Sequence, residues 1–440
     1  MDPRLDSPKA YEHALNALAK KWSARGRLDK LSAYGVTLAD LRGRTQAFSR
    51  VLAKTIKRGE FRFSALTAVS ANIDGKVRTL YRPNLVDAVV LAVTAKYLAA
   101  VAEPSFSPAL HSFRKGHSST KTVRLVSQYF NQHCAQVPLR QRGLYVLQRD
   151  ITRYGESIDN SPGSALFEQV GKALQADPNP AHRHLAQTLI QGAILQPILG
   201  HDGTEKPLEC GVPTGSPIQT VCANLYLAKL DARLDQIPGA FYARFGDDLL
   251  FIHPEHRVSE WASAEIEQHF SDLKLQSKIE KKRSLYVNGA GRPSPVDAQY
   301  KPATQIEYLG LRVHFSGSLG LKRERERELQ TQLLRRFRHV RDTAMFEEPS
   351  VLARLLCAVV SKALEPSQPL AIAVAERLRH SIDDRGQLRD LDYRVALMVA
   401  ETATGRRGPR AFRTISYRKL RQMGLTSLVV NRHRKGAARA

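Results

Sequence analysis

Acidic residues are in short supply. Against 67 lysines and arginines the chain sets only 42 aspartates and glutamates, for a net charge of +25. A chain so depleted in acid points to an anionic polymer partner, nucleic acid being the commonest, with an anionic membrane surface as the competitor. Cysteine is scarcer still: Cys134, Cys210, Cys222 and Cys357 are scattered, with no Cys-x-x-Cys pair. Their spacing argues against a zinc site and against a disulfide framework, and a reducing cytoplasm is the simplest setting. There is no unbroken run of 18 apolar residues, so no transmembrane helix is expected. The stretch Met1–Pro8 lacks the apolar core of a signal peptide. Internal repeats and low-complexity tracts are also missing. What remains is 440 residues, 42% of them hydrophobic, which leaves room for a sizeable core.

Apolar residues at helical spacing, first Tyr11, Leu15, Leu18 and Trp22, then Phe48, Val51, Leu52 and Ile56, predict packed helices across residues 10–58. From Gly59 the texture turns to short β-like runs. Asn84 is placed to cap a helix running to Ala100. A basic loop, Phe113–Ser118, precedes a helix predicted from Ser119 to Cys134. Leu144–Leu147 reads as an apolar strand that ends in Arg149-Asp150-Ile151. Residues 162–200 read as helical with a break at Asp177–Pro180, and Pro217–Leu234 as one helix after a turn at Gly211–Gly215. Ile306–Phe315 is strand-like, and Lys322–Arg341 alternates Arg and Glu at spacings that support i,i+4 pairs on a solvated helix face. From Gly405 to Ala440 there are 11 basic residues and no acid, yet Phe412, Ile415, Leu420 and Leu425 are interleaved with them. That pattern predicts a folded basic surface to about Asn431, with Arg406, Arg407, Arg418 and Lys419 as candidate nucleic-acid contacts, and disorder beyond.

The most informative stretch is Phe241–Ile252. Two short apolar runs flank Gly246, Asp247 and Asp248, which predicts a strand-turn-strand hairpin with acids at its tip. Neighbouring carboxylates withdrawn from water need a cation beside them, and hard oxygen ligands suit Mg²⁺. A solvent-exposed turn is the alternative, since Gly-Asp is a common turn dipeptide. A third acid, Asp150, follows a strand 97 residues earlier. Two strands that each present a carboxylate at one end can bind a pair of divalent ions that clamps the attacking and leaving oxygens of a phosphoryl displacement. In a basic protein this suggests a nucleic-acid polymerase or nuclease.

Between the acids, Gly211-Val212-Pro213-Thr214-Gly215-Ser216-Pro217 through Ala223-Asn224-Leu225-Tyr226-Leu227 resembles the Pro-Gln-Gly turn and following helix of reverse transcriptases. Arg244-Phe245-Gly246-Asp247-Asp248 stands where group II intron-type enzymes carry Arg-Tyr-Ala-Asp-Asp, and Asp150–Asp159 looks like their first acid motif. Gly75-Lys76-Val77-Arg78 and Phe113-Arg114-Lys115-Gly116 resemble the two basic fingers motifs, and Glu307-Tyr308-Leu309-Gly310 the grip on the primer strand. The resemblance covers residues 59–320. It implies an α/β right-hand polymerase with fingers and palm, N-terminal helices (residues 1–58) and a basic, helical, thumb-like region (residues 321–440).

The resemblance also implies roles. Asp150 and Asp247 would hold two Mg²⁺ ions, or Mn²⁺ in their place, with the Ile151 carbonyl as a further ligand and Asp248 as a secondary one. Lys76 and Arg78 would meet the triphosphate of an incoming dNTP. Gly215 would allow close approach of the turn, and Lys282 is the candidate for the cation after the hairpin, within Lys281-Lys282-Arg283. Asn224 would lie near the nucleotide or serve as a structural hydrogen bonder. Arg114, Lys115, Tyr308, Leu309 and Gly310 would touch nucleic acid. Three departures stand out: Thr214 replaces the usual Gln, Phe245-Gly246 replaces Tyr-Ala, and Gly155 replaces the aromatic that screens the sugar 2′-hydroxyl. The last predicts weak rejection of ribonucleotides, unless neighbouring Tyr154 swings into the gap or the backbone bends at Gly155 and brings another ring in. Lacking a zinc-ligand cluster and a Val-Thr-Gly signature, the chain looks similar to free-standing bacterial defence-associated, abortive-infection-type enzymes. Those work with a non-coding RNA, make a DNA product and sometimes recruit a partner protein. An RNA-dependent RNA polymerase, an untemplated nucleotidyltransferase and a degenerate RNA-binding palm are the rivals.

Overall fold

The computed structural model describes residues 4–23, 37–73, 76–138, 142–200, 202–344, 348–365, 370, 372, 374–375 and 381–429. Gly75 of the first basic motif and everything after Val429 lie outside them. The chain forms two compact units, one from Met1–His117 with Val146–Arg283, the other from Ser118–Tyr145 with Ser284–Ala440.

The first unit opens with helices α1 (Pro8–Ser23), α2 (Leu38–Arg42) and α3 (Thr45–Lys57). Tyr11, Leu15, Leu52 and Ile56 are buried as the spacing predicts, whereas Val51 of the same stripe is exposed. Strands β1 (Leu66–Ile73) and β2 (Lys76–Arg82) pair antiparallel, Ala71 opposite Arg78. Helix α4 (Leu85–Ala102) follows, its first turn capped by the Asn84 side chain, which accepts from Asp87 N at 2.8 Å. With the residues up to Ser105, α4 is long and apolar enough to cross a membrane by length and composition. Here it is a core helix: Val89, Val90, Leu91 and Leu98 are fully buried.

Helix α5 (Ser119–Gln136) belongs to the second unit, after which β3 (Leu144–Asp150) returns to the first, buried along its whole length. Helices α6 (Ala165–Leu174) and α7 (Pro180–Ile194) lead to the short strands β4 (Ile198–Leu199) and β5 (Glu205–Lys206), which complete a sheet of order β2-β1-β4-β5. The single helix predicted over residues 217–234 is two, α8 (Pro217–Tyr226) and α9 (Ala228–Asp235), broken at Leu227. Strands β6 (Phe241–Phe245) and β7 (Asp248–His253) form the predicted hairpin, with Phe245 opposite Asp248, and β7 lies beside β3. Helix α10 (His256–Asp272) covers β7.

In the second unit β8 (Arg283–Val287) pairs parallel with β9 (Lys301–Ala303). Strands β10 (Gln305–Tyr308), β11 (Leu311–His314) and β12 (Leu319–Leu321) form an antiparallel sheet. Helix α11 (Arg323–Thr343) buries Leu329, Leu333 and Phe337, spaced four apart, and packs against α12 (Pro349–Ala363) and α13 (Arg385–Thr404). Glu326 anchors this packing: its carboxylate meets Arg312 at 3.5 Å and Arg394 at 3.2 Å. The basic segment folds back through α14 (Ala411–Thr414) and α15 (Tyr417–Gln422). Ile415, Leu420 and Leu425 are buried, and Asp392 of α13 accepts from Ser427 Oγ and Leu428 N at 2.6 and 2.7 Å. The result is a mixed α/β fold with a helical C-terminal region.

Candidate active site

Strand β3 delivers Asp150 at its C-terminal end, 3% exposed. Beyond it the chain is held by the returning segment after α10. Lys278 N donates to Asp150 O at 2.7 Å and Thr152 N to Gln276 O at 2.9 Å, with Ile151 opposite Ser277. In an antiparallel bridge of this kind the central residue turns its own carbonyl to the other side. The returning segment also carries cations. Lys281 pairs with Asp150 Oδ2, and Lys278 Nζ is 3.9 Å from Oδ1. Lys282, the residue singled out from the sequence, is turned away and sits 2.8 Å from Glu267, which also holds Arg149. The three-residue 3₁₀ turn Ile279–Lys281 sends successive side chains in different directions, so one position decides which lysine reaches the acid.

The hairpin brings Asp247 in its turn and Asp248 at the start of β7. Asp247 keeps part of its surface in solvent, yet loss of water around its carboxyl, then the charge of Asp150, raises its pKa. The same causes, burial first and then Asp247 and Asp150, push Asp248 up to about 7. Asp150 Oδ1 is buried without a hydrogen bond. Three clustered carboxylates, of which Asp150 leaves Oδ1 without a hydrogen bond while an ammonium pairs with its Oδ2, fit divalent metal ions bound by oxygen. Burial would lower the pKa of Lys281, but its bond to Asp150 and the three acid charges outweigh that and keep it raised.

The like-charge clustering has a measurable consequence. The folded Asp248 carboxyl titrates near 7, far above its unfolded value of about 3.9. The folded state then binds this proton more tightly, so its repulsive cost is present above pH 7 and is relieved as the pH falls through 7. Without metal, the Asp248→Asn protein should melt above wild type at pH 8, and the gap should narrow steadily as the pH falls from 7 toward 4. A gap that is constant across this window would rule out the raised carboxyl.

Arg244 holds the hairpin, a role that its place in the motif does not reveal. Fully buried, it donates Nε and Nη2 to Asp231 at 2.8 and 2.6 Å, Nη1 to Gly246 O at 3.0 Å and Nη2 to Asn224 O at 3.1 Å. Tyr242 Oη adds a bond to Asp231 at 2.8 Å. The turn carrying Asp247 is thereby tied to α8 and α9. Asp231 escapes sequence reading because an acid in the first turn of a helix is ordinary.

Other expected contacts fall out differently. Asn224 is buried, with both ends of its amide engaged: Oδ1 accepts from Ser112 Oγ at 3.1 Å and Nδ2 donates to Ser112 O at 3.0 Å. These bonds fit the structural reading of Asn224. Arg114 is occupied by Glu103 and by the carbonyls of Ser107 and Leu110, all at 2.8 Å. It stiffens its loop, and it is Lys115 and Phe113, the latter 65% exposed, that this loop offers outward. Tyr154 is locked into the core by a 2.5 Å bond to Ala223 O, so it does not swing toward Gly155. Gly215 has φ +98°, a conformation that favours glycine, and the preceding Thr214 O accepts from Tyr81 N at 2.8 Å. That bond joins β2, with exposed Arg78, to the turn; only the backbone of Lys76 is described. Tyr308, Leu309 and Gly310 lie in the second unit, where Leu309 (φ +46°) and Gly310 (φ +80°) make the β10–β11 turn. Arg406, Arg407, Arg418 and Lys419 are exposed in that same unit.

A strand-end acid set against a hairpin bearing two more fits a polymerase-type nucleotidyltransferase. Which polymerase follows from the comparison with known families. Residues 71–313 match the family described as reverse transcriptase (RNA-dependent DNA polymerase), more than half of the chain, and the chain belongs to that family. The enzymes of this family use divalent metal ions. Similar solved structures include apo telomerase from Candida tropicalis truncated from its C-terminal domain, at 10% identity and TM-score 0.42, covering 63% of this chain and 60% of that one. Telomerase from Candida albicans in complex with a TWJ fragment of telomeric RNA matches at 9% identity and TM-score 0.45, covering 88% and 66%. The chain thus spans about three fifths to two thirds of these telomerase chains. No curated protein gives a significant match.

Proposed function

We propose that this enzyme copies RNA into DNA with two Mg²⁺ ions, as a bacterial defence reverse transcriptase that works in the cytoplasm with a non-coding RNA. The observation that carries the catalytic part is the orphaned, buried Oδ1 of Asp150 within a cluster of three carboxylates in the matched region. Asp150 and Asp247 would hold the ions, with the Ile151 carbonyl and Asp248 assisting. Bound Mg²⁺ activates the attacking hydroxyl and neutralises the leaving phosphates.

The chain's own groups do the rest. Lys281 and Lys278 supply positive charge beside Asp150. Arg78, exposed on β2, is free of any partner among the described residues and suits a triphosphate. Arg244 fixes the hairpin turn, so that the acids need no rearrangement before reaction. The exposed arginines of the second unit and its net basic character suit an RNA backbone. The defence lineage is supported by the Arg244–Asp248 motif and its divergence from intron-type enzymes; a partner protein would belong to the same system.

The test is primer extension on an RNA template with dNTPs and Mg²⁺, together with sequencing of the nucleic acid that copurifies. DNA complementary to one recurrent small RNA is the expected product. Incorporation of rNTPs alone would favour the RNA polymerase reading, suggested by Gly246-Asp247-Asp248, and a product without complementarity would favour untemplated addition.

A further inference from the structure

The position left bare by Gly155 is not empty. A Cβ built there would lie 2.1 Å from Gln219 Nε2 and 3.0 Å from its Cδ, so the carboxamide of Gln219 occupies the volume a side chain at 155 would fill. Gln219 sits in the first turn of α8. Its Nε2 donates to Thr214 Oγ1 at 3.3 Å and its Oε1 accepts from Gly215 N at 3.4 Å. Both bonds are long, and they use only half of an amide's hydrogen-bonding capacity. The side chain is half-buried.

Two segments meet at this amide, and a third is tied to one of them. One is the turn after Asp150, whose Gly155 O accepts from Val212 N at 2.9 Å. The second is the Thr214–Gly215 turn, which lacks the glutamine its resemblance leads one to expect. The third is the end of β2, tied to Thr214 through Tyr81. One side chain on α8 therefore replaces both the group missing at 155 and the amide missing at 214.

We infer that Gln219 is the sugar-selecting residue of this enzyme, a yielding gate that a nucleotide's 2′-hydroxyl must push aside. This rests on the reading of the chain as a nucleotide-adding polymerase. Displacing the amide breaks two weak bonds, and the amide can then bond to the hydroxyl that displaced it. Selection against ribonucleotides is accordingly partial. It depends on two separable properties of Gln219, its bulk and its hydrogen bonding. Removing the bulk opens the gate. Keeping the bulk without the polar group leaves an entering hydroxyl unpaired and closes the gate further.

The experiment measures kcat and KM for dGTP and GTP in primer extension by wild type, Gln219→Ala and Gln219→Leu. Gln219→Ala should lower the dGTP preference in kcat/KM by roughly three- to tenfold and Gln219→Leu should raise it by a similar factor, the worth of about one hydrogen bond. Preferences that are unchanged, or that move in the same direction in both variants, overturn the inference and leave the polymerase reading standing. If wild type adds neither nucleotide, that reading fails by itself. Gln219 is then judged by equilibrium competition between dGTP and GTP for the three proteins, under the same criterion of opposite shifts.

Discussion

Asp150→Asn and Asp247→Asn should each reduce nucleotide addition by at least about a thousandfold while leaving the protein folded. The size follows from what each carboxylate supplies: an anionic ligand for metal ions that stabilise several kcal/mol of transition-state charge. The fold should survive because neither acid supports it. In the Asp247 variant one of three mutually repelling carboxylates is gone, and Asp248, held up to about 7 by burial first and then by Asp247, falls part of the way back. That protein should melt at or above the wild-type temperature when free of metal, as expected where a site is built at the expense of stability. Asp150→Asn loses the ion pair with Lys281 as well, so its gain should be smaller. Asp248→Asn should retain measurable activity. Substantial turnover by the Asp247→Asn protein would end the two-metal assignment, whatever its stability.

The second large effect is on stability. Arg244→Met should destabilise the first unit by about 3–5 kcal/mol, the usual consequence of stranding one member of a buried ion pair. Here Asp231 would be left fully buried with only the Tyr242 hydroxyl and no positive charge, and the carbonyls of Gly246 and Asn224 would each lose a donor. Arg244→Lys keeps the charge but cannot span two carboxylate oxygens and two carbonyls at once, so it should recover only part of the loss. The double variant Arg244→Met with Asp231→Asn should be more stable than Arg244→Met alone, because no charge is then stranded. Urea unfolding gives these values, and activity per folded molecule gives the effect on the hairpin. A cost below about 1 kcal/mol for Arg244→Met would show that the pair does not tether the turn.

Much of this architecture was legible along the chain because it depends on neighbours in sequence. The β6–β7 hairpin follows from two apolar runs around Gly246, the start of α4 from the oxygen of Asn84, and the end of β3 from an apolar run that stops at an acid. Even the basic C-terminal segment announced its fold through the apolar residues interleaved with its arginines. The helix predicted across residues 217–234 was half right, since spacing does not register the break at Leu227.

The sequence by itself determined which acids are present, in what order, and on which kinds of element, because strand and turn formation are decided over a few adjacent residues. Tertiary structure alone decided who meets whom. Lys281 rather than Lys282 reaches Asp150 across 131 positions, Arg244 finds Asp231, Arg114 spends itself on its own loop, and Gln219 fills the space that Gly155 leaves bare. Each of these pairings depends on the direction a side chain takes from an element already packed in place. Neighbouring residues on a turn diverge, so no pattern in composition or spacing carries that direction until the core has set it.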